Sequence, residues 1–211
     1  MSISNKNRPN GKALVSLYVL GDLISFCRKY AGNYLEIGCY DGATLSIIAA
    51  ALSGTGKICY GIDPFRGDKY VQTREERRQN SQFIPLPEQK KNLYKNISSY
   101  GHSIEFFEMT SENFWNSKTD EELEKMNISV VFVDGSHLYD YVTLDWKLAL
   151  KVIGDKPGVV IFDDMQSSDV YRASNDMINH LKESGYKYKK NIRAFYTKTP
   201  EIPKTLVVRI N

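Results

Sequence analysis

The sequence predicts an α/β fold: a Rossmann-like, doubly wound sheet of seven strands, mostly parallel, with a C-terminal antiparallel hairpin. Three observations carry this. Short apolar runs alternate with helix-length amphipathic segments from Tyr34 onward. The first run ends in a glycine turn that opens a helix, Tyr34–Thr44 (YLEIGCYDGAT). The last two runs, Tyr186–Tyr196 and Lys204–Ile210, are joined too briefly for a crossover and must pair antiparallel. Alternation with right-handed crossovers makes the remaining strands parallel and puts helices on both faces.

Composition narrows the class. A chain of 211 residues with 42% hydrophobic content can bury one proper core. A net charge of +3 gives no case for nucleic-acid binding. No apolar run approaches the ~20 residues needed to span a bilayer, so no membrane partner is expected. The opening MSISNKNRPNGK lacks the apolar segment of a secretory leader. Cys27, Cys39 and Cys59 are odd in number and form no C-x-x-C pair, which argues against a disulfide framework or zinc site and for a reduced, cytoplasmic setting. Cys39 reads as a small residue filling a tight corner. A homo-oligomer stays open.

The elements follow in order. Residues 1–30 read as a polar tail and a helical segment, Lys12–Tyr30, interrupted near Gly21-Asp22; residues 31–211 form the main domain. The first strand is Tyr34–Ile37, and the first helix of the domain, Ala43–Leu52, closes at Gly54 and Gly56. Lys57–Ile62 is the second strand, ending in Asp63-Pro64. Arg66–Lys95 is long, polar and carries a local excess of four positive charges, with Pro85-Leu86-Pro87 breaking two helices. This length exceeds an ordinary connection and predicts a lid over the site. Ser103–Phe107 is the third strand. Ser111 is placed to cap the helix Glu112–Asn116, and Thr119 to Glu122 begins a short acidic helix. Ile128–Val133 and Gly158–Phe162 are β-branched and aromatic runs suited to strands buried on both faces. Tyr139–Ile153 and Asp169–Ser184 are the helices that follow them.

The chemistry gathers at the strand ends, where open α/β sheets bind ligands. A dinucleotide loop wants three glycines and amides aimed at a pyrophosphate. Here Gly38 and Gly42 stand beside Glu36 and Asp41, carboxylates that would repel a pyrophosphate but suit a ligand bearing an ammonium and a sulfonium. The candidate cofactor contacts of this loop are Glu36, Gly38, Tyr40, Asp41, Gly42 and Thr44. Asp63, at the tip of the second strand, can accept hydrogen bonds from ribose hydroxyls. Ser111 and Glu112 follow the third strand, against the adenine edge. Asp134, Asp163 and Asp164 end two neighbouring strands, so their carboxylates converge beside the cofactor, a set that suits magnesium. Asp134 is also assigned to the cofactor and to catalysis. His137, in the loop above the same edge, is the candidate base for removing a hydroxyl proton.

Glu36-x-Gly38-x-x-x-Gly42 resembles motif I of the class I S-adenosylmethionine (SAM)-dependent methyltransferases. The pieces Gly61-Ile62-Asp63-Pro64, Asp134-Gly135-Ser136-His137-Leu138-Tyr139 and Gly158–Asp164 are similar to the branch containing the macrocin and related sugar O-methyltransferases and the cephalosporin-hydroxylase-like enzymes. The resemblance spans roughly residues 30–210. It implies metal-ligand positions at Asp134, Asp163 and Asp164, a base at His137, and O-methylation of a small-molecule hydroxyl such as a sugar's. Cys39-Tyr40 is bulkier than the family's turn. A metal-independent N- or C-methyltransferase, a NAD-dependent oxidoreductase and a non-catalytic SAM-binding module are the alternatives.

Overall fold

A computed structural model describes residues 15–65, 86–193 and 204–211. Its centre is a seven-stranded sheet: β1 (Asn33–Ile37), β2 (Cys59–Ile62), β3 (Ile104–Phe107), β4 (Ile128–Val133), β5 (Gly158–Phe162), β6 (Tyr188–Arg193) and β7 (Thr205–Ile210). The strand order is β3-β2-β1-β4-β5-β7-β6. Neighbours from β3 to β5 are parallel, whereas β7 is antiparallel to both β5 and β6. The order reverses between β1 and β4, the switch point at which the ends of adjacent strands open a crevice.

The helices are α1 (Leu17–Lys29), α2 (Ala43–Ala51), α3 (Leu86–Ser98), α4 (Ser111–Asn116), α5 (Asp120–Lys125), α6 (Tyr139–Ile153) and α7 (Ser168–Glu183). Successive side chains on a strand face opposite sides, so the central strands feed two cores. Leu35, Ile37, Val131, Val133, Val160 and Phe162 face α6 and α7. Tyr34, Val130, Phe132, Val159 and Ile161 face the layer that supplies Leu23, Cys27, Leu45, Ile48 and Leu93. This is why β4 and β5 read as unbroken apolar runs.

Two expectations change. The helix α1 runs unbroken through Gly21-Asp22. An interior glycine costs about 1 kcal/mol against alanine, but Val19, Leu20, Leu23, Phe26 and Cys27 are buried along the same helix and outweigh it. Thr110, not Ser111, caps α4, accepting from the Asn113 amide; the Ser111 hydroxyl instead donates to Asp145. Most of the expected lid, Arg66–Lys95, lies outside the described residues; its last part belongs to α3, in which Gln89, Leu93 and Asn96 are buried. A capping box at Thr119 and Glu122 opens the short acidic helix α5. Among the described residues no helix is long and apolar enough to cross a membrane.

Candidate active site

The glycine turn forms because the backbone must leave β1 and enter α2 within a few residues. Gly38 (φ 88°) and Gly42 (φ 74°) take the left-handed conformation this requires. A Cβ at Gly38 would strike the backbone carbonyl of Asp134, so the missing side chain lets the turn lie against the end of β4. At Gly42 a Cβ would press on Leu93 of α3 at 3.0 Å. The Asn96 side chain, also on α3, donates to the Asp41 carbonyl at 2.9 Å, and the Asp41 carboxylate accepts from the Ala43 amide at 3.1 Å. Cys39 is buried, and burial pushes its thiol well above the usual range. It is packing, as its size suggests.

Asp63 ties the turn to β2. One of its oxygens accepts the amides of Cys39 (2.9 Å) and Tyr40 (2.8 Å), and the other that of Phe65 (2.7 Å). A carboxylate offers about four acceptor sites, so these three donors do not exhaust it. Burial raises the Asp63 pKa, and these backbone bonds oppose the rise. Glu36 lies on the α2 side of β1, is only 1% exposed and accepts from the Tyr34 hydroxyl at 2.9 Å. Burial raises its pKa to about 8 against the lowering effect of that bond, with Asp63 and Asp41 adding to the rise. Thr44 is buried, Tyr40 is partly exposed and Glu112 is exposed. With its pKa at about 8, Glu36 is largely protonated at neutral pH. The Asp41 and Asp63 carboxylates, with the glycine cradle, are the groups at the turn that fit a ligand bringing positive charge.

On the other side of the switch point the strand ends come together as the parallel ladder demands. The Asp134 amide donates to the Ile37 carbonyl (2.9 Å), and the Asp163 amide to the Val133 carbonyl (3.1 Å). Burial, with Asp163 and Asp164 nearby, raises the Asp134 pKa well above its usual range. Consecutive strand residues should point apart. Asp164 escapes this because its φ is 52°, a left-handed conformation uncommon outside glycine that aspartate tolerates better than most residues. The kink lets both carboxylates meet one partner, Lys204, whose Nζ stands 3.0 Å from Asp163 and 3.3 Å from Asp164. Thr205 donates to the other Asp163 oxygen at 3.2 Å. The side chains of Gln166 and His137 also reach Asp164, with His137 Nε2 3.1 Å from its Oδ2. Burial alone would raise the Asp164 pKa, but His137, Lys204 and Gln166 outweigh it and hold the carboxyl well below the usual range.

The sequence missed Lys204 and Thr205. The signal was the antiparallel hairpin, because a strand running against β5 must begin where β5 ends. These two residues also bear on the expected metal. Magnesium wants an octahedron of oxygens, yet every oxygen of Asp163 and Asp164 is already held by a protein donor, one of them a cation. Among the described residues no histidine, cysteine and carboxylate side chains group as a metal set. As the side chains stand, Asp134, Asp163 and Asp164 do not fit the magnesium expected for them.

Fold and site together define a class I methyltransferase fold. The family described as "Methyltransferase domain" matches residues 35–165, and the chain belongs to it. An uncharacterized protein of Acanthamoeba polyphaga mimivirus is 25% identical over 176 residues, covering 80% of this chain and 69% of its own. Many solved structures share the fold, two of them as follows. Cofactor-bound Rv0187 from MTB has a TM-score of 0.63 at 12% identity, covering 95% of this chain and 82% of its own. The O-methyltransferase TomG from Streptomyces achromogenes, involved in tomaymycin synthesis and solved with SAM, has a TM-score of 0.62 at 15% identity, covering 93% and 80%.

Proposed function

We propose that this protein is a SAM-dependent O-methyltransferase acting on a hydroxyl of a small molecule, with a sugar-like acceptor as the first choice. The observation that carries the reading is the His137–Asp164 contact, at the same sheet edge as the Gly38–Gly42 turn. SAM would be held by the turn, with Asp41 and Asp134 toward its positive end, Asp63 at the ribose, and Ser111 and Glu112 near the base. When bound it supplies an electrophilic methyl group.

The chain's own residues then handle the acceptor proton. Asp164 accepts from His137 Nε2, so in the neutral form of the ring the proton sits on Nε2 and Nδ1 is the basic nitrogen. That nitrogen takes the hydroxyl proton as the acceptor oxygen gains the methyl, and the Asp164 carboxylate stabilises the imidazolium that results. Glu36 and Thr44 shape the turn from behind. A cytoplasmic setting is part of the reading, supported by three free, buried cysteines.

The test is transfer of label from methyl-labelled SAM to a panel of hydroxylated acceptors, with calorimetry on SAM, its demethylated product and NAD. Binding of the first two without NAD, and label on oxygen, is the expected result. NAD binding with no response to SAM would reject the reading, and label on nitrogen or carbon would reject the acceptor class.

A further inference from the structure

The carboxylate pair that the resemblance assigns to magnesium is engaged by an ammonium. Lys204 is not adventitiously placed. Its carbonyl accepts the Met165 amide at 3.0 Å, which pins its backbone beside the end of β5. The next residue, Thr205, begins β7 and bonds Asp163 directly. The Lys204 side chain is 23% exposed and Asp163 only 3%, so the pair is screened from water on the carboxylate side. A divalent ion at these oxygens would have to displace Lys204 and stand beside its charge. Losing Lys204 would in turn leave the buried Asp163 uncompensated.

We propose that Lys204 is a built-in counter-cation standing where a metal-dependent methyltransferase would hold its ion, so that this enzyme works without a divalent metal. Lys204 is then a positioning residue. It neutralises Asp163 and holds Asp164 in the conformation that meets His137, supplying fixed charge where magnesium would supply coordination. The statement about catalysis rests on the methyltransferase reading; the statement about the ion does not. A lysine cannot gather an acceptor oxygen and its neighbours into one octahedron. Acceptor orientation therefore falls to protein side chains rather than to an ion, and proton removal to His137.

The experiment is a manganese titration of the full chain followed by electron paramagnetic resonance, with and without SAM. The wild type should show no stoichiometric site tighter than about 1 mM, the weak end of oxygen-ligand affinities. Lys204→Met should gain manganese affinity by roughly tenfold or more, because it releases carboxylate oxygens. Lys204→Arg keeps the charge and should behave as the wild type. A one-to-one wild-type site abolished by Asp164→Asn would overturn the proposal, as would equally weak binding by wild type and Lys204→Met. Should Lys204→Met fail to fold, the wild-type titration decides alone. In parallel, chelated wild type should keep both SAM binding and turnover; SAM binding retained with turnover lost would overturn metal independence. A protein that binds no SAM would instead reject the methyltransferase reading, while the manganese result would still decide what Lys204 does.

Discussion

His137 Nε2 stands 3.1 Å from Asp164 Oδ2, although the two residues belong to loops that follow different strands. The contact exists because β4 and β5 are adjacent and in register, Val133 opposite Phe162, and because Asp164 turns left-handed at the end of β5. In the proposed reaction, Asp164 sets the tautomer and His137 does the proton transfer.

His137→Ala should lower kcat by about 10²–10⁴, the usual worth of a positioned base. SAM affinity should stay near wild type. The residual rate should climb with pH, as solvent base replaces the imidazole. Steady-state kinetics across pH with calorimetry checks this; an unchanged kcat would remove His137 from the mechanism.

Asp63→Ala should weaken both the turn and the cofactor site. It strands the amides of Cys39, Tyr40 and Phe65, and each lost partner at a buried site costs about 1–3 kcal/mol before water compensates. Denaturant unfolding should report lower stability without ligand, and calorimetry weaker SAM binding. Stability equal to wild type would contradict the clamp.

Gly38→Ala should cost more than about 2 kcal/mol, since strain at positive φ adds to a backbone clash with Asp134. Gly54→Ala is the control. It shares the positive φ but meets nothing within 4 Å, so its cost should be backbone strain alone. Thermal melts of the two variants side by side separate strain from contact, and equal losses would reject the clash.

Glu36 should make the fold less stable as pH rises. Its folded pKa is raised to about 8 from 4.5, so between these values the folded protein holds a proton that the unfolded chain has lost. The difference in bound protons is negative there, and stability falls with pH across that window. Glu36→Gln keeps an acceptor for the Tyr34 hydroxyl and removes the titration. It should gain up to about 5 kcal/mol over wild type at pH 8.5 and nothing near pH 4. Unfolding curves at the two pH values test it; parallel pH profiles would show that Glu36 does not titrate in this window.

Most of the fold was legible because it is written in local chemistry. Short apolar runs marked the strands and period-3.6 patterns the helices, Gly38 and Gly42 marked the turn, and the brief connection before Lys204 forced antiparallel pairing. Those features alone place Asp63, Asp134, Asp163 and Asp164 at one sheet edge. The helix break at Gly21 failed because buried neighbours outweigh a single glycine, and the cap at Ser111 failed because Thr110 could do the same work one residue earlier.

The sequence by itself determined which strands end in acids and which loop carries the histidine, since each depends on residues close together in the chain. Only the tertiary structure decided what those acids hold. Lys204 lies about forty residues from Asp163 and Asp164, and it meets them only because β7 inserts beside β5 in the opposite direction. Its meeting with both depends further on one backbone torsion at Asp164. Charge partners across strands are set by sheet order and register, which a linear pattern of carboxylates cannot express. The same three aspartates therefore read as a magnesium site in sequence and as a lysine-bound pair with a neighbour in the fold.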